Sequence, residues 1–155
     1  MAVNLGDAMI LDLKKIKRSG KDQEDFFFEY TPDKEIIDIP NVDFLGAVKI
    51  NGTVTLTGEH SAVIDGEVTF TLSGECTRCL TQTCKEYVVE LRESVDKDDP
   101  DGYPLKNDTI DLSKMVDDLV VMILPVSFLC KEDCRGLCPS CGTNLNDGSC
   151  QCKNN

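Results

Sequence analysis

Histidine is nearly absent from this chain. Its 155 residues contain a single one, His60. Imidazole is the usual protein ligand of catalytic zinc and the usual general base near neutrality, so a His-rich catalytic zinc site cannot be built. His60 lies in Gly58-Glu59-His60-Ser61, read as a connection between strands, where an exposed loop histidine is expected. No glycine-rich phosphate loop or Walker pattern occurs, and the acidic loop from Asp96 to Asp108 lacks the EF-hand spacing and reads as a solvated linker. No apolar run is long enough to span a bilayer, which predicts no membrane partner. Met1 to Ile10 has neither the basic nor the uninterrupted apolar region of an export signal. Basic charge is scarce too: 16 Lys and Arg face 28 Asp and Glu, a net charge of -12. Such a field repels nucleic acid at long range and attracts basic proteins.

What the chain has is cysteine, nine in all. An odd number fits a disulfide framework badly. Without an export signal the expected location is the reducing cytoplasm, where clustered thiols bind metal more often than they pair. Cys130, Cys134, Cys138, Cys141, Cys150 and Cys152 crowd the end of the chain with spacing C-x3-C-x3-C-x2-C-x8-C-x-C. At their centre Cys138-Pro139-Ser140-Cys141-Gly142 is a zinc knuckle: Pro fixes one bend, Gly permits the next, and two thiolates grip one ion from a tight turn. Structural zinc takes four thiolates at about 2.3 Å. Cys138 and Cys141 are therefore expected ligands of one zinc per chain. The second pair is sought first in Cys150 and Cys152, because Asn144-Leu145-Asn146-Asp147-Gly148 can reverse the chain. Cys130 with Cys134, or a mixed set such as Cys134 with Cys152, satisfies the spacing as well.

A second cluster lies in Gly74-Glu75-Cys76-Thr77-Arg78-Cys79-Leu80, with Cys84 beyond it. Its C-x-x-C can be a structural turn, half of a metal site or a redox dithiol. Thioredoxin-like dithiols sit at a helix N-terminus in a βαβ pattern, and this one follows a strand in an all-β stretch, so a turn is expected.

Periodicity divides the chain into a β-rich domain over 1–125 and a cysteine-rich tail over 126–155. Ile10 to Leu13 suggests a strand, Lys14 to Asp25 a polar connection, and Phe26, Phe28 and Tyr30 one aromatic face at period two. Val48, Ile50, Val54 and Leu56 surround Asn51-Gly52, and Val63, Val68, Phe70 and Leu72 surround Asp65-Gly66. Each dipeptide predicts a tight hairpin turn or a bulge in one long strand. Tyr87, Val89 and Leu91 mark a further strand. Leu112, Met115, Val116, Leu119, Val120 and Ile123 share a helical face after the N-cap candidate Asp111, so one core helix is expected at about 111–124, ended by Pro125. The fold class is mainly β with one core α-helix (α+β), an antiparallel meander or partly closed barrel carrying a small zinc-bound C-terminal tail.

From about Gly46 to Cys152 the chain resembles the YceD family, the large ribosomal RNA subunit accumulation proteins. The resemblance rests on Gly74 to Leu80, on the helix from Asp111 to Pro125, and above all on the run from Cys130 to Asn146. There Asp-Cys-Arg-Gly-Leu and Asn-Leu-Asn flank the knuckle. It implies a bacterial cytoplasmic protein, or an organellar relative, that supports accumulation of large-subunit ribosomal RNA; with no catalytic motif in the chain, the expected role is a cytoplasmic, non-enzymatic ribosome-biogenesis factor. Charge then favours a basic ribosomal protein of the large subunit as partner. The cluster Lys14, Lys15, Lys17 and Arg18 offers direct rRNA contact as a second mode. The alternative from another class is a thiol-based redox enzyme or sensor using Cys76 and Cys79.

Overall fold

Period-two burial of Val, Ile, Phe and Leu builds the sheet. In the computed structural model, which describes residues 9–148 together with Cys150 and Cys152, five strands form one antiparallel sheet. They are β2 (Gln23–Tyr30), β3 (Val42–Phe44), β4 (Val48–Gly58), β5 (Ser61–Glu75) and β6 (Gln82–Asp96). A short ribbon pairs β1 (Ile10–Asp12) with β7 (Thr109–Asp111). Two α-helices, α1 (Leu13–Arg18) and α2 (Leu112–Ile123), follow those two short strands directly. Met1 to Ala8, on which most of the export-signal reading falls, lie outside the described residues.

β5 is the spine. β6 runs along one edge from Ser61 to Glu75, and the other edge is shared by β4 opposite Ser61 to Thr69 and β3 opposite Leu72 to Gly74. β2 pairs only with β4, and β6 only with β5. The expected partly closed barrel is therefore not formed, because the two outer strands do not meet; β4, β5 and β6 make an open meander.

Asn51-Gly52 and Asp65-Gly66 are neither turns nor bulges. Register runs unbroken through Gly52↔Gly66, and the chain reverses instead at Glu59-His60. The inner face keeps its period through the glycines, with Val48, Ile50 and Val54 buried on β4 and Ile64, Val68, Phe70 and Leu72 on β5. Here the two backbones approach so closely that a Cβ on Gly52 would lie 2.7 Å from the Gly66 Cα. Mid-strand glycine answers a close backbone approach. Phe26 and Leu91 stand opposite the two glycines on the flanking strands.

α2 lays Leu112, Met115, Val116 and Val120 into the same core as the sheet's inner face. The Asp111 carboxylate accepts the Ser113 N–H at 2.9 Å as N-cap. Leu124 turns extended, φ -58° and ψ 130°, because a helical residue before Pro125 would clash with the ring. Two tyrosines fasten the helix: Tyr30 donates to Asp117 at 2.5 Å and Tyr103 to Asp118 at 3.0 Å. Burial first, and then the neighbouring carboxylate, raises both phenols, Tyr103 to about 12.

The polar connection expected from Lys14 onward begins as a helix. Asp12 caps α1 by accepting the Lys14 N–H at 3.0 Å, and Leu13 and Ile16 bury themselves one turn apart. His60 is not a free loop residue either: its Nδ1 lies 2.8 Å from the Asp108 carboxylate. Among the described residues no helix is long and apolar enough to cross a membrane.

Candidate metal centres

The C-x-x-C turn is built where β5 ends. Cys76 donates its N–H to the Thr81 carbonyl at 2.9 Å, and the Leu80 N–H returns to Cys76 at 2.9 Å, with Leu80 in the left-handed region at φ 63°. The chain leaving α2 is then laid across this turn. Thr77 donates its N–H to the Phe128 carbonyl at 2.7 Å, and the Phe128 N–H donates to the Thr77 hydroxyl at 2.9 Å. Phe128 is fully buried beneath Lys85, whose ammonium lies 6.0 Å from the ring centroid.

Two residues beyond that anchor, Cys130 meets Cys79, and Cys134 meets Cys76; each Sγ–Sγ distance is 3.6 Å. All four sulfurs lie within 4.8 Å of one another. Cys76, Cys79 and Cys134 are buried and form an apolar cluster of their own with Leu129, Cys130 and Leu137 around them. The Arg78 guanidinium donates to the Cys134 carbonyl at 2.9 Å, and the Asn146 amide donates to the Cys134 sulfur at 3.3 Å.

The knuckle forms a second group. Cys138 donates its N–H to the Thr143 carbonyl at 2.8 Å, and Gly142, in the left-handed region at φ 75°, donates to the Cys138 carbonyl at 2.9 Å. Leu145 donates back to Gly136 at 2.9 Å, closing the loop. Cys150 and Cys152 return to it, so that Cys138, Cys141, Cys150 and Cys152 also hold their sulfurs within 4.8 Å of one another. Asn144 and Asn146 tie the two groups together: Asn146 accepts the Arg135 N–H at 2.9 Å, and its own N–H donates to Asn144 at 2.9 Å.

The thiols within each group are electrostatically unlike. Burial raises Cys76, but backbone N–H groups of Cys79, Cys130 and Arg78 outweigh it and bring the thiol down to about 6. Backbone N–H groups of Cys141 and Ser140 do the same for Cys138, also to about 6. Cys130 is pushed up to about 12 by burial and the neighbouring thiols, and Cys152 to about 12 by Cys141 first and then burial. Four thiols at this spacing cannot all ionise unless a cation joins them.

The structure thus divides the six tail cysteines. Cys138, Cys141, Cys150 and Cys152 stand together, whereas Cys130 and Cys134 stand with Cys76 and Cys79. The C-x-x-C is a turn, as expected, and something more. Cys84 belongs to neither group; it is exposed on β6 with its sulfur 3.5 Å from the Ser73 hydroxyl. Lys14, Lys15, Lys17 and Arg18 all lie on α1, three of them exposed and Lys17 half-buried.

Comparison with known proteins agrees with the run of residues around these thiols. The family model described as "Large ribosomal RNA subunit accumulation protein YceD" matches residues 64–155. A chloroplastic YCED homolog 1 of Zea mays, named a large ribosomal RNA subunit accumulation protein, is 37% identical over 62 residues, 39% of this chain and 21% of that protein. Its Arabidopsis thaliana counterpart is 36% identical over 58 residues, 37% of this chain and 18% of that protein. An uncharacterised protein of Mycobacterium tuberculosis is 34% identical over 96 residues, 56% of this chain and 46% of that protein. The chain thus spans under half the length of these curated relatives. No solved structure matches it. The matched segment is more than half of the chain and contains every cysteine of both groups, and by it the chain belongs to the YceD family.

Proposed function

We propose that this chain is a cytoplasmic ribosome-biogenesis factor that supports accumulation of large-subunit ribosomal RNA by binding a basic ribosomal protein of the large subunit. The family is defined by accumulation and by no reaction, in keeping with a non-enzymatic role. The observation that carries the choice of partner is the outer face of the sheet. It presents Asp25 and Glu29 on β2, Asp65, Glu67 and Glu75 on β5, and Glu86 and Glu90 on β6, against Lys49 and Arg92. Asp65 already occupies Arg92 at 3.6 Å. Glu67 and Glu90 are exposed and stand directly opposite each other across β5 and β6. Like charges so placed cost stability, and a cationic surface docked over them relieves that cost.

The knuckle thiols Cys138, Cys141, Cys150 and Cys152 suit one zinc ion as a structural centre, since four thiolates leave no open position for catalysis. Zinc there would hold the tail folded and supply no reaction.

A second reading has one observation of its own, the four cations gathered on α1. It gives direct rRNA contact through Lys14, Lys15, Lys17 and Arg18. Capture from cells separates the two. Glu67→Lys with Glu90→Lys should lose a basic large-subunit protein, while Lys14, Lys15, Lys17 and Arg18 all changed to Glu should retain it. If the second variant instead loses nuclease-sensitive rRNA and the first loses nothing, RNA contact replaces protein binding.

A further inference from the structure

We propose that Cys76, Cys79, Cys130 and Cys134 bind a second structural zinc ion, which fastens the cysteine-rich tail to the end of the sheet. This goes beyond the knuckle centre and does not depend on what the knuckle holds.

The geometry of the sulfurs is that of a tetrahedral site. With zinc–sulfur bonds of about 2.3 Å, the edge of a thiolate tetrahedron is about 3.8 Å. Cys76 with Cys134 and Cys79 with Cys130 are both 3.6 Å apart, and all four sulfurs stay within 4.8 Å of one another. A sulfur–sulfur bond is about 2.0 Å, so neither pair is bonded, and all nine cysteines are free thiols.

The surroundings are those of a ligated thiolate group. The Asn146 amide reaches the Cys134 sulfur at 3.3 Å, and Arg78 sets a guanidinium beside the group through the Cys134 carbonyl at 2.9 Å. Outer hydrogen bonds of this kind orient metal ligands, and the guanidinium offsets part of the net negative charge of a zinc ion with four thiolates. Three of the four cysteines are buried, and all four positions are sulfur, so the site is closed and structural. Zinc is favoured because a tetrahedral four-sulfur set selects zinc or iron, and a single closed site suits the redox-inert ion. On binding, each thiol gives its proton to solvent and the ion keeps its charge.

The topology gives such an ion a distinct task. Its ligand pairs lie 58 and 51 residues apart in sequence, one partner of each on the β5–β6 turn and the other in the tail. The Thr77–Phe128 pair and Arg78 already bring these two segments together, and one ion would cross-link them beyond that anchor, where the apolar cluster is small and separate from the main core. The cysteine count also becomes intelligible: two groups of four leave Cys84, an exposed thiol outside both, as the ninth.

The test uses the full chain purified without added metal and without a metal-binding tag. Metal analysis should give two zinc ions per chain, or one with Cys76, Cys79, Cys130 and Cys134 protected if the knuckle is empty. Alkylation of the native protein followed by mass spectrometry should show rapid modification of Cys84 alone and protection of the other eight, with both zinc ions released when those eight are forced to react. Cys76→Ser with Cys79→Ser should retain one zinc, as should Cys138→Ser with Cys141→Ser. The proposal is overturned by one zinc per chain with Cys76, Cys79, Cys130 and Cys134 all freely alkylated, by undiminished zinc in the Cys76/Cys79 variant, by iron in place of zinc, or by a Cys76–Cys79 disulfide in the purified protein. Thiol protection is read on the unmutated chain, so it decides the matter even where a variant fails to fold.

Discussion

Asp108 shows how much one side chain can join. It is a buried carboxylate in the left-handed region at φ 57°, its carbonyl accepts the Leu13 N–H at 2.8 Å, and its carboxylate takes His60 at 2.8 Å. It thereby links the β4–β5 turn to the start of α1. The His60 hydrogen bond, opposed by burial and helped by the charges of His60, Lys17 and Lys14, holds its carboxyl below the usual carboxylate range. A depressed carboxyl contributes stability that is present above its unfolded value of about 3.9 and is lost as pH falls through the folded value. Asp108→Asn is therefore expected to lower stability at pH 7 by about 1 kcal/mol, the net worth of a partly exposed charged hydrogen bond. Urea titrations of both proteins should converge as pH falls below about 3.9. A gap between them that is as wide at pH 3 as at pH 7 would remove Asp108 from this role. His60 itself was legible as a loop residue on a β-turn. Its partner was not, because Asp108 lies 48 residues away and shares no local pattern with it.

Among the elements, α2 was the most legible, since cap, stripe and stop are all local signals. Asp111 caps it, four stripe residues are buried, and Leu124 leaves the helix before Pro125. The strands were legible in their apolar faces and misread at their glycines. Asn-Gly and Asp-Gly favour hairpins when two residues must reverse the chain, but here both glycines fall in phase with the buried face. The deciding cue was that phase: Val48, Ile50, Gly52, Val54 and Leu56 are all of one parity, as are Ile64, Gly66, Val68 and Phe70. A turn would have broken it. The close approach has a measurable consequence, for a Cβ on Gly66 would lie 2.9 Å from the Gly52 Cα, and backbone cannot move aside as a side-chain tip can. Gly66→Ala is expected to cost about 1–3 kcal/mol, as overpacking does. Gly148→Ala meets nothing within 4 Å and has ordinary φ, so it should be neutral or stabilise by up to about 1 kcal/mol through the unfolded chain. Thermal unfolding should show a lowered midpoint for Gly66→Ala and an unchanged or raised one for Gly148→Ala; equal shifts would mean that the strands relax around the added methyl.

At the scale of the molecule the described residues form two apolar clusters, a large one between sheet and α2 and a small one around the first cysteine group. The knuckle was legible because its ligand pair is local. The pairing of Cys76 and Cys79 with Cys130 and Cys134 was not, since contacts 51 and 58 residues apart follow only from how β5, β6 and α2 are stacked. The division of the core sets what metal removal should do. A structural zinc contributes an apparent ~10–16 kcal/mol at neutral pH, whereas the small cluster has little apolar burial and a few hydrogen bonds such as Arg78 to the Cys134 carbonyl. Strong chelation of the native protein should therefore release the small cluster and leave the large one folded. In hydrogen exchange, amides of Cys76 to Leu80 and of Cys134 to Leu145 should lose protection, while those of β4, β5 up to Leu72 and α2 keep theirs. Phe128 marks the expected boundary, because it is fully buried in the large cluster although it sits at the tail's entrance. Its amide should keep part of its protection through the Thr77 hydroxyl, which accepts it at 2.9 Å. Cooperative loss of protection across both clusters on chelation would mean instead that the sheet itself depends on the metal.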